Sequence, residues 1–172
     1  MKKKRLIPVL LLKDGWLVQS KGFSRYQNLG NPVTAVKRLS QWASDELIYL
    51  DISTGDNYDT RRNDQGYENR SSFLEIIEDV SKVTFMPITV GGKIRKLEDI
   101  EKRLSAGADK IAINRMAVER SQFITEAAKN FGSQCIVVSI DAKIVDGQHR
   151  VFTNGGKEIT KYTVEELSRI VE

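Results

Sequence analysis

One cysteine, one histidine and three prolines are all that these 172 residues contain of those types. A single thiol cannot close an internal disulfide. Cys135 lies in the apolar stretch "CIVVSI" (135–140), where a buried structural thiol is the default, and the expected compartment is the reducing cytoplasm. The lone His149 has no Cys, His or acidic neighbour at ligand spacing, so neither a metal site nor a cofactor is expected. The glycine fingerprint of a dinucleotide fold is missing. No apolar run approaches the ~20 residues that cross a bilayer, which excludes a helical membrane span. The run "LIPVLLL" (6–12) meets Lys13-Asp14-Gly15 instead of a small-residue cleavage site, so it reads as mature protein and not as a secretion signal.

What is present describes one globular domain over 1–172, with 40% hydrophobic and 29% charged residues. The net charge of +4 owes much to Lys2, Lys3, Lys4 and Arg5. A solvated basic terminus is the commoner meaning of such a cluster; no nucleic-acid partner is expected, and anionic small molecules remain compatible.

Short apolar runs alternate with segments of helical spacing. The strand candidates are "LIPVLLL" (6–12), "LIYLDI" (47–52), "FMPITV" (85–90), "KIAIN" (110–114) and "CIVVSID" (135–141). Continuous apolar runs suit strands covered on both faces, as parallel strands are. Helices are expected from Asn31-Pro32 to Ala43, over 72–81 with Phe73, Ile76, Ile77 and Val80 on one side, over 97–106, over 121–130, and from Thr163, whose hydroxyl and Glu166 form a capping pair. Strand, turn and helix in repetition mean parallel α/β, either an open doubly wound sheet or a barrel. A closed eight-unit barrel takes ~250 residues, so the expected fold class is α/β, a (βα)8 TIM barrel truncated to about five βα units.

The chain also resembles itself. When "VLLLKDG" (9–15) is laid on "VSIDAKIVDG" (138–147) with Lys13 on Lys143, Leu11 stands opposite Asp141. Asp141 is expected at a strand tip, where barrel proteins carry reacting groups and where partial burial lifts a carboxyl toward neutrality. A strand-end aspartate also ties down loops, and residues alone leave both roles open.

Taken in order, "KDG" (13–15), "DELIYLDI" (45–52), "ITVGGKI" (88–94), "AGADKIAIN" (106–114), "FGSQCIVVSIDAK" (131–143) and "DGQHRVFTNGG" (146–156) resemble the first two thirds of the cyclase subunit of imidazole glycerol phosphate synthase. The resemblance implies a half-barrel-duplicated (βα)8 enzyme that takes ammonia from a glutaminase. It implies two aspartates, at the tips of the first and fifth strands, as acid and base. Only the second is present, Asp141, with Leu11 in place of the first. Asp14 lies past the strand position, and Asp51 matches a position that helps line the pocket.

Other residues follow from the same likeness. Gly91 and Gly92 let backbone N–H groups approach an anion, and with Lys93, Asn114 and Arg115 they form the expected phosphate cradle; a plain glycine turn is the alternative. Lys93 stands where the family has a third glycine and Arg115 where it has a small hydroxyl residue, and both changes add positive charge. Arg5, Glu46 and Lys110 fall at three strand starts; the resemblance makes them an ammonia gate, and a salt-bridged barrel floor is the bland alternative. The polar stretch 53–72 is longer than the family's second loop. Its Tyr58, Arg61, Arg62 and Tyr67 either grip a sugar or its nucleotide or simply face water.

A side branch of this resemblance carries an apolar first-strand tip and is implicated in making acetamidino sugars of surface polysaccharides. The resulting expectation is a lyase/cyclase-type synthase subunit of a glutamine amidotransferase, in a heterodimer with a glutaminase subunit. An ATP-using amidine synthetase and a phosphorylated or nucleotide-linked sugar are the further partners, and Asp141 handles protons. The alternatives are a cyclase of histidine biosynthesis and a non-catalytic scaffold for glutaminase and synthetase.

Overall fold

A computed structural model describes residues 4–172 except Phe23, Ala43, Arg62 and Gln65, and for Asn63, Asp64 and Tyr67 the backbone alone. Lys2 and Lys3, Ala43 as a helix end, Arg62 and the Tyr67 side chain thus lie outside the described residues. The chain divides into two compact units, one ending at Ile111 and one from Ala112 to Glu172.

In the first unit, strand β1 (Val9–Lys13) turns back through β2 (Trp16–Lys21) and β3 (Arg25–Gly30) before helix α1 (Pro32–Gln41). The turn is dictated locally. Lys13 and Trp16 face each other, so only Asp14 and Gly15 connect the strands, with φ of 52° and 86°. Two positive φ values give the turn twist that suits a hairpin, and Asp-Gly is a sequence that accepts them. Helix α1 starts where Asn31 Oδ1 accepts from the N–H groups of Val33 and Thr34, at 2.9 and 3.2 Å, with Pro32 needing no partner.

Strand β4 (Leu47–Asp51) returns parallel to β1, pairing Leu11 with Leu50 and Leu12 with Asp51. Strands β5 (Asn63–Asp64) and β6 (Tyr67–Glu68) form a small hairpin, then α2 (Phe73–Ser81) buries Phe73, Ile76, Ile77 and Val80 as its spacing required. Strand β7 (Ile88–Gly91) pairs parallel with β4, and α3 (Leu97–Ser105) leads to β8 (Lys110–Ile113), which lies next to β7 and ends in the second unit.

In the second unit, α4 (Arg115–Glu119) and α5 (Gln122–Phe131) follow β8, then β9 (Ile136–Val138) and an antiparallel trio, β10 (Asp141–Val145), β11 (Gln148–Thr153) and β12 (Glu158–Thr163). Helix α6 (Val164–Val171) is capped by the reciprocal Thr163–Glu166 pair.

Helices between parallel strands are the α/β class expected, in the strand-and-helix order of a (βα) barrel. Three details differ from the expectation. Residues 16–30 form a hairpin rather than a connection. Phe85–Pro87 precede the third parallel strand, which starts at Ile88. The fifth apolar run ends as a strand at Val138, and Asp141 opens the next strand because it pairs with Phe152 across the β10–β11 hairpin. Among the described residues, no helix is long and apolar enough to cross a membrane.

Candidate functional site

Parallel strands put all their starts at one end, and in the first unit three charged side chains meet there. Glu46, the residue before β4, accepts from Arg5, which precedes β1, through one carboxylate oxygen. Through the other it accepts from Lys110 Nζ, at the start of β8, at 3.0 Å. Backbone bonds fix this convergence: Leu6 and Asp45 exchange a main-chain and a side-chain bond, and Leu47 N–H donates to Pro87 O at 3.0 Å. The Glu46 side chain is 10% exposed, whereas Arg5 and Lys110 are 57% and 30% exposed. One buried carboxylate is thus shared by two cations, of which Arg5 is mostly and Lys110 partly exposed.

The opposite end of the same strand carries Asp51. Its Oδ1 accepts from Ser53 N–H at 2.9 Å and from Ser53 Oγ at 2.5 Å, and its Oδ2 faces Lys93 Nζ at 3.0 Å. Lys93 also contacts Asp56 at 3.6 Å and donates to the Gly55 carbonyl. Tyr58 is buried beside this pair; burial first, then the Asp51 charge, pushes its phenol well above the usual pKa. Its hydroxyl makes no well-formed hydrogen bond, although Asp51 and Ser53 are close enough to influence it.

Gly92 follows β7 with φ of 111°, and a Cβ there would sit 2.2 Å from Asp51 O, so only glycine lets the two strand ends approach. Its carbonyl accepts from Arg103 Nη2 at 2.9 Å, and Arg103 Nη1 donates to Asp99 O at 2.8 Å. Burial lowers the Arg103 pKa, with Asp99 and Asp51 pulling the other way.

In the second unit, Asn114 caps β8 and donates from Nδ2 to Ser139 O at 2.8 Å, while Ser139 N–H donates to Ile113 O at 2.9 Å. These bonds bring Asp141 next to Asn114. Partial burial raises the Asp141 pKa, and the nearby Asn114 amide acts in the other direction. A half-buried carboxyl with a raised pKa can exchange a proton. Arg115 is exposed, and its guanidinium pairs with Glu119 at 2.7 Å.

The structure therefore joins Arg5, Glu46 and Lys110 in one cluster, Asp51, Gly92 and Lys93 in a second, and Asn114 with Asp141 in a third. Gly91 ends β7, buried. Leu11 is half-buried between Leu50 and Val18, with no proton to exchange. Ser53, Asn69 and Arg103 were not anticipated. Arg103 lies three residues after the buried Ile100 on α3, a spacing that marks it as facing inward; nothing in the sequence singles out Asn69. Tyr58 is packed inside and Arg61 is held by Asp59 at 3.0 Å. His149 is exposed in β11, and Cys135 is a free, half-buried thiol in the turn before β9. Among the described residues, no group of His, Cys, Asp and Glu could hold a metal ion.

Parallel strands linked through helices, with polar groups gathered at the strand ends, define an α/β protein of the (βα) barrel class. The model of the family described as "Histidine biosynthesis protein" matches residues 5–172, and the chain belongs to that family. Over 171 residues it is 42% identical to the imidazole glycerol phosphate synthase subunit HisF of Exiguobacterium sp. (strain ATCC BAA-1283 / AT1b), an alignment covering 99% of this chain and 63% of that relative. The chain spans less than two thirds of the relative's length. Neither match speaks to a surface-polysaccharide branch.

Proposed function

We propose that the chain is the ammonia-accepting, cyclase-type part of a synthase subunit related to imidazole glycerol phosphate synthase, working with a glutaminase. The observation that carries this reading is Glu46 bridging Arg5 and Lys110 at the strand starts, with Arg5 mostly and Lys110 partly exposed to water. Arg5, Glu46 and Lys110 admit ammonia; Asp141, beside Asn114, takes and returns protons. Gly91, Gly92 and Lys93 offer backbone N–H groups to an acceptor's anionic group, as Asn114 and Arg115 do in their own unit, and Asp51 shapes the glycine turn.

For the reaction itself, 42% identity to a protein named for imidazole glycerol phosphate synthase supports the histidine-pathway cyclisation over the sugar reading. A specific observation supports a second reading. Leu11 supplies no second acid where the family resemblance has one, which favours amidine formation on a surface-polysaccharide sugar, with an activating synthetase as a further partner.

Purified protein given the histidine-pathway intermediate and ammonium salt separates them. Turnover near that of an ordinary cyclase supports the first reading and excludes the second. No turnover, with glutamine-dependent product on an acetamido sugar when glutaminase and synthetase are added, supports the second. If that product persists unchanged in Asp141→Asn, the chain is a scaffold and the proton-transfer role is wrong.

A further inference from the structure

Lys93 occupies a position that its backbone disfavours. Its φ is 55°, in the left-handed region where glycine is the unstrained residue, yet it carries a long side chain that is only 15% exposed. That side chain runs to three groups, two of them on the segment that follows β4: the Gly55 carbonyl and the Asp56 carboxylate, besides Asp51 at the strand end. The same segment is closed at its base. Tyr58 N–H donates to Ser71 O at 2.8 Å, Asn57 bridges to Ser72, and Asn69 Nδ2 donates to the carbonyls of Asp14 and Asp59 at 3.0 and 3.1 Å. A Cβ on Gly15 would strike Asn69 Oδ1 at 2.1 Å, so the β1–β2 turn is built against this clamp.

We propose that Lys93 is a positioning residue whose side chain pins residues 53–59, the segment leaving β4, onto the ends of β4 and β7. Its backbone keeps the glycine-like turn, and its ammonium, already matched by Asp51 and Asp56, serves the latch and not an incoming anion. Residues 53–59 then form a fixed wall beside the strand ends rather than a loop that swings over them. This inference stands without the reaction proposed above, because it concerns how residues 53–59 are held.

Hydrogen exchange of the whole chain tests it. In Lys93→Met, amides of 53–59, Tyr58 among them, are expected to exchange about tenfold faster, while β7 and α3 keep their protection. Lys93→Arg should restore slow exchange. Asp51→Asn should free the same amides, and the double variant should free them no further than either single one, as two halves of one latch require. Lys93→Gly guards against a variant that fails to fold, since it relieves the left-handed backbone while deleting the latch, and it too should release 53–59. Unchanged exchange at 53–59 in both Lys93→Met and Lys93→Gly, or equal loosening of the whole unit, would overturn the proposal.

Discussion

Strand β4 ends in one carboxylate, Asp51, and is preceded by another, Glu46, and each faces a lysine at the same 3.0 Å. Glu46 meets Lys110, with Arg5 on its other oxygen; Asp51 meets Lys93. What differs is the wrapping. The cations around Glu46 are 57% and 30% exposed, whereas Lys93 is 15% and Asp51 only 1% exposed. Equal distances therefore do not mean equal energies, because water weakens the first attraction and the surrounding protein preserves the second. The pairs suit different work. A solvated pair can open and close at little cost, as an inlet must, while a covered pair holds neighbouring chain segments in register.

Breaking the covered pair is the harshest test of that contrast. Asp51→Ala is expected to cost about 3 kcal/mol of unfolding free energy, because it leaves a mostly buried ammonium without its main counter-charge. Urea denaturation measures it, and adding Lys93→Met should recover part of the loss by removing the stranded charge. A cost within the range of exposed pairs would erase the distinction between the two ends. Glu46→Gln sharpens the contrast from the other side. About 1 kcal/mol or less is expected, shrinking further when salt is added, since Arg5 is mostly and Lys110 partly exposed to water. A salt-insensitive loss as large as that of Asp51→Ala would mean that the strand-start cluster is structural too.

The parts of this arrangement that the sequence exposes are those written in local pattern. Apolar runs announce β1, β4 and β8, and the apolar side of 72–81 announces the buried face of α2. Arg5, Glu46 and Lys110 are legible because each precedes or opens such a run, and parallel strands align their starts. The β2–β3 hairpin escaped because, beyond Trp16, Leu17 and Val18, its side chains face water and its pairing is a matter of backbone. Asp141 shows the limit of reading one segment at a time. The apolar run points to a strand tip, but the carboxylate opens β10 because Phe152, distant in sequence, pairs with it. Lys93 was visible as a lysine in a glycine position. That its charge is spent on Asp51 and Asp56 depends on contacts some forty residues apart, which no local pattern encodes.

The smallest expected effect belongs to Asp141, which differs from the carboxylates at both ends of β4 in forming no ion pair among the described residues and in having the Asn114 amide beside it. Burial raises its pKa in the folded chain, and the nearby Asn114 amide only partly opposes this. The folded state therefore binds the proton more tightly than the unfolded chain does. Whatever stability this group contributes is present below the unfolded carboxyl range, near pH 4, and is lost as pH rises through the folded value. At neutral pH the carboxylate is a burden on the fold. Asp141→Asn removes the charge and keeps the shape, so it should stabilise the protein at pH 7 by less than about 1 kcal/mol after solvent screening, with the gain fading toward pH 4. Thermal unfolding of the two proteins across that range measures the difference. A variant less stable than the parent at pH 7 would show that Asn114 favours the ionised form more than burial opposes it, and Asp141 would then be a structural anchor like Asp51 rather than a group held ready to take a proton.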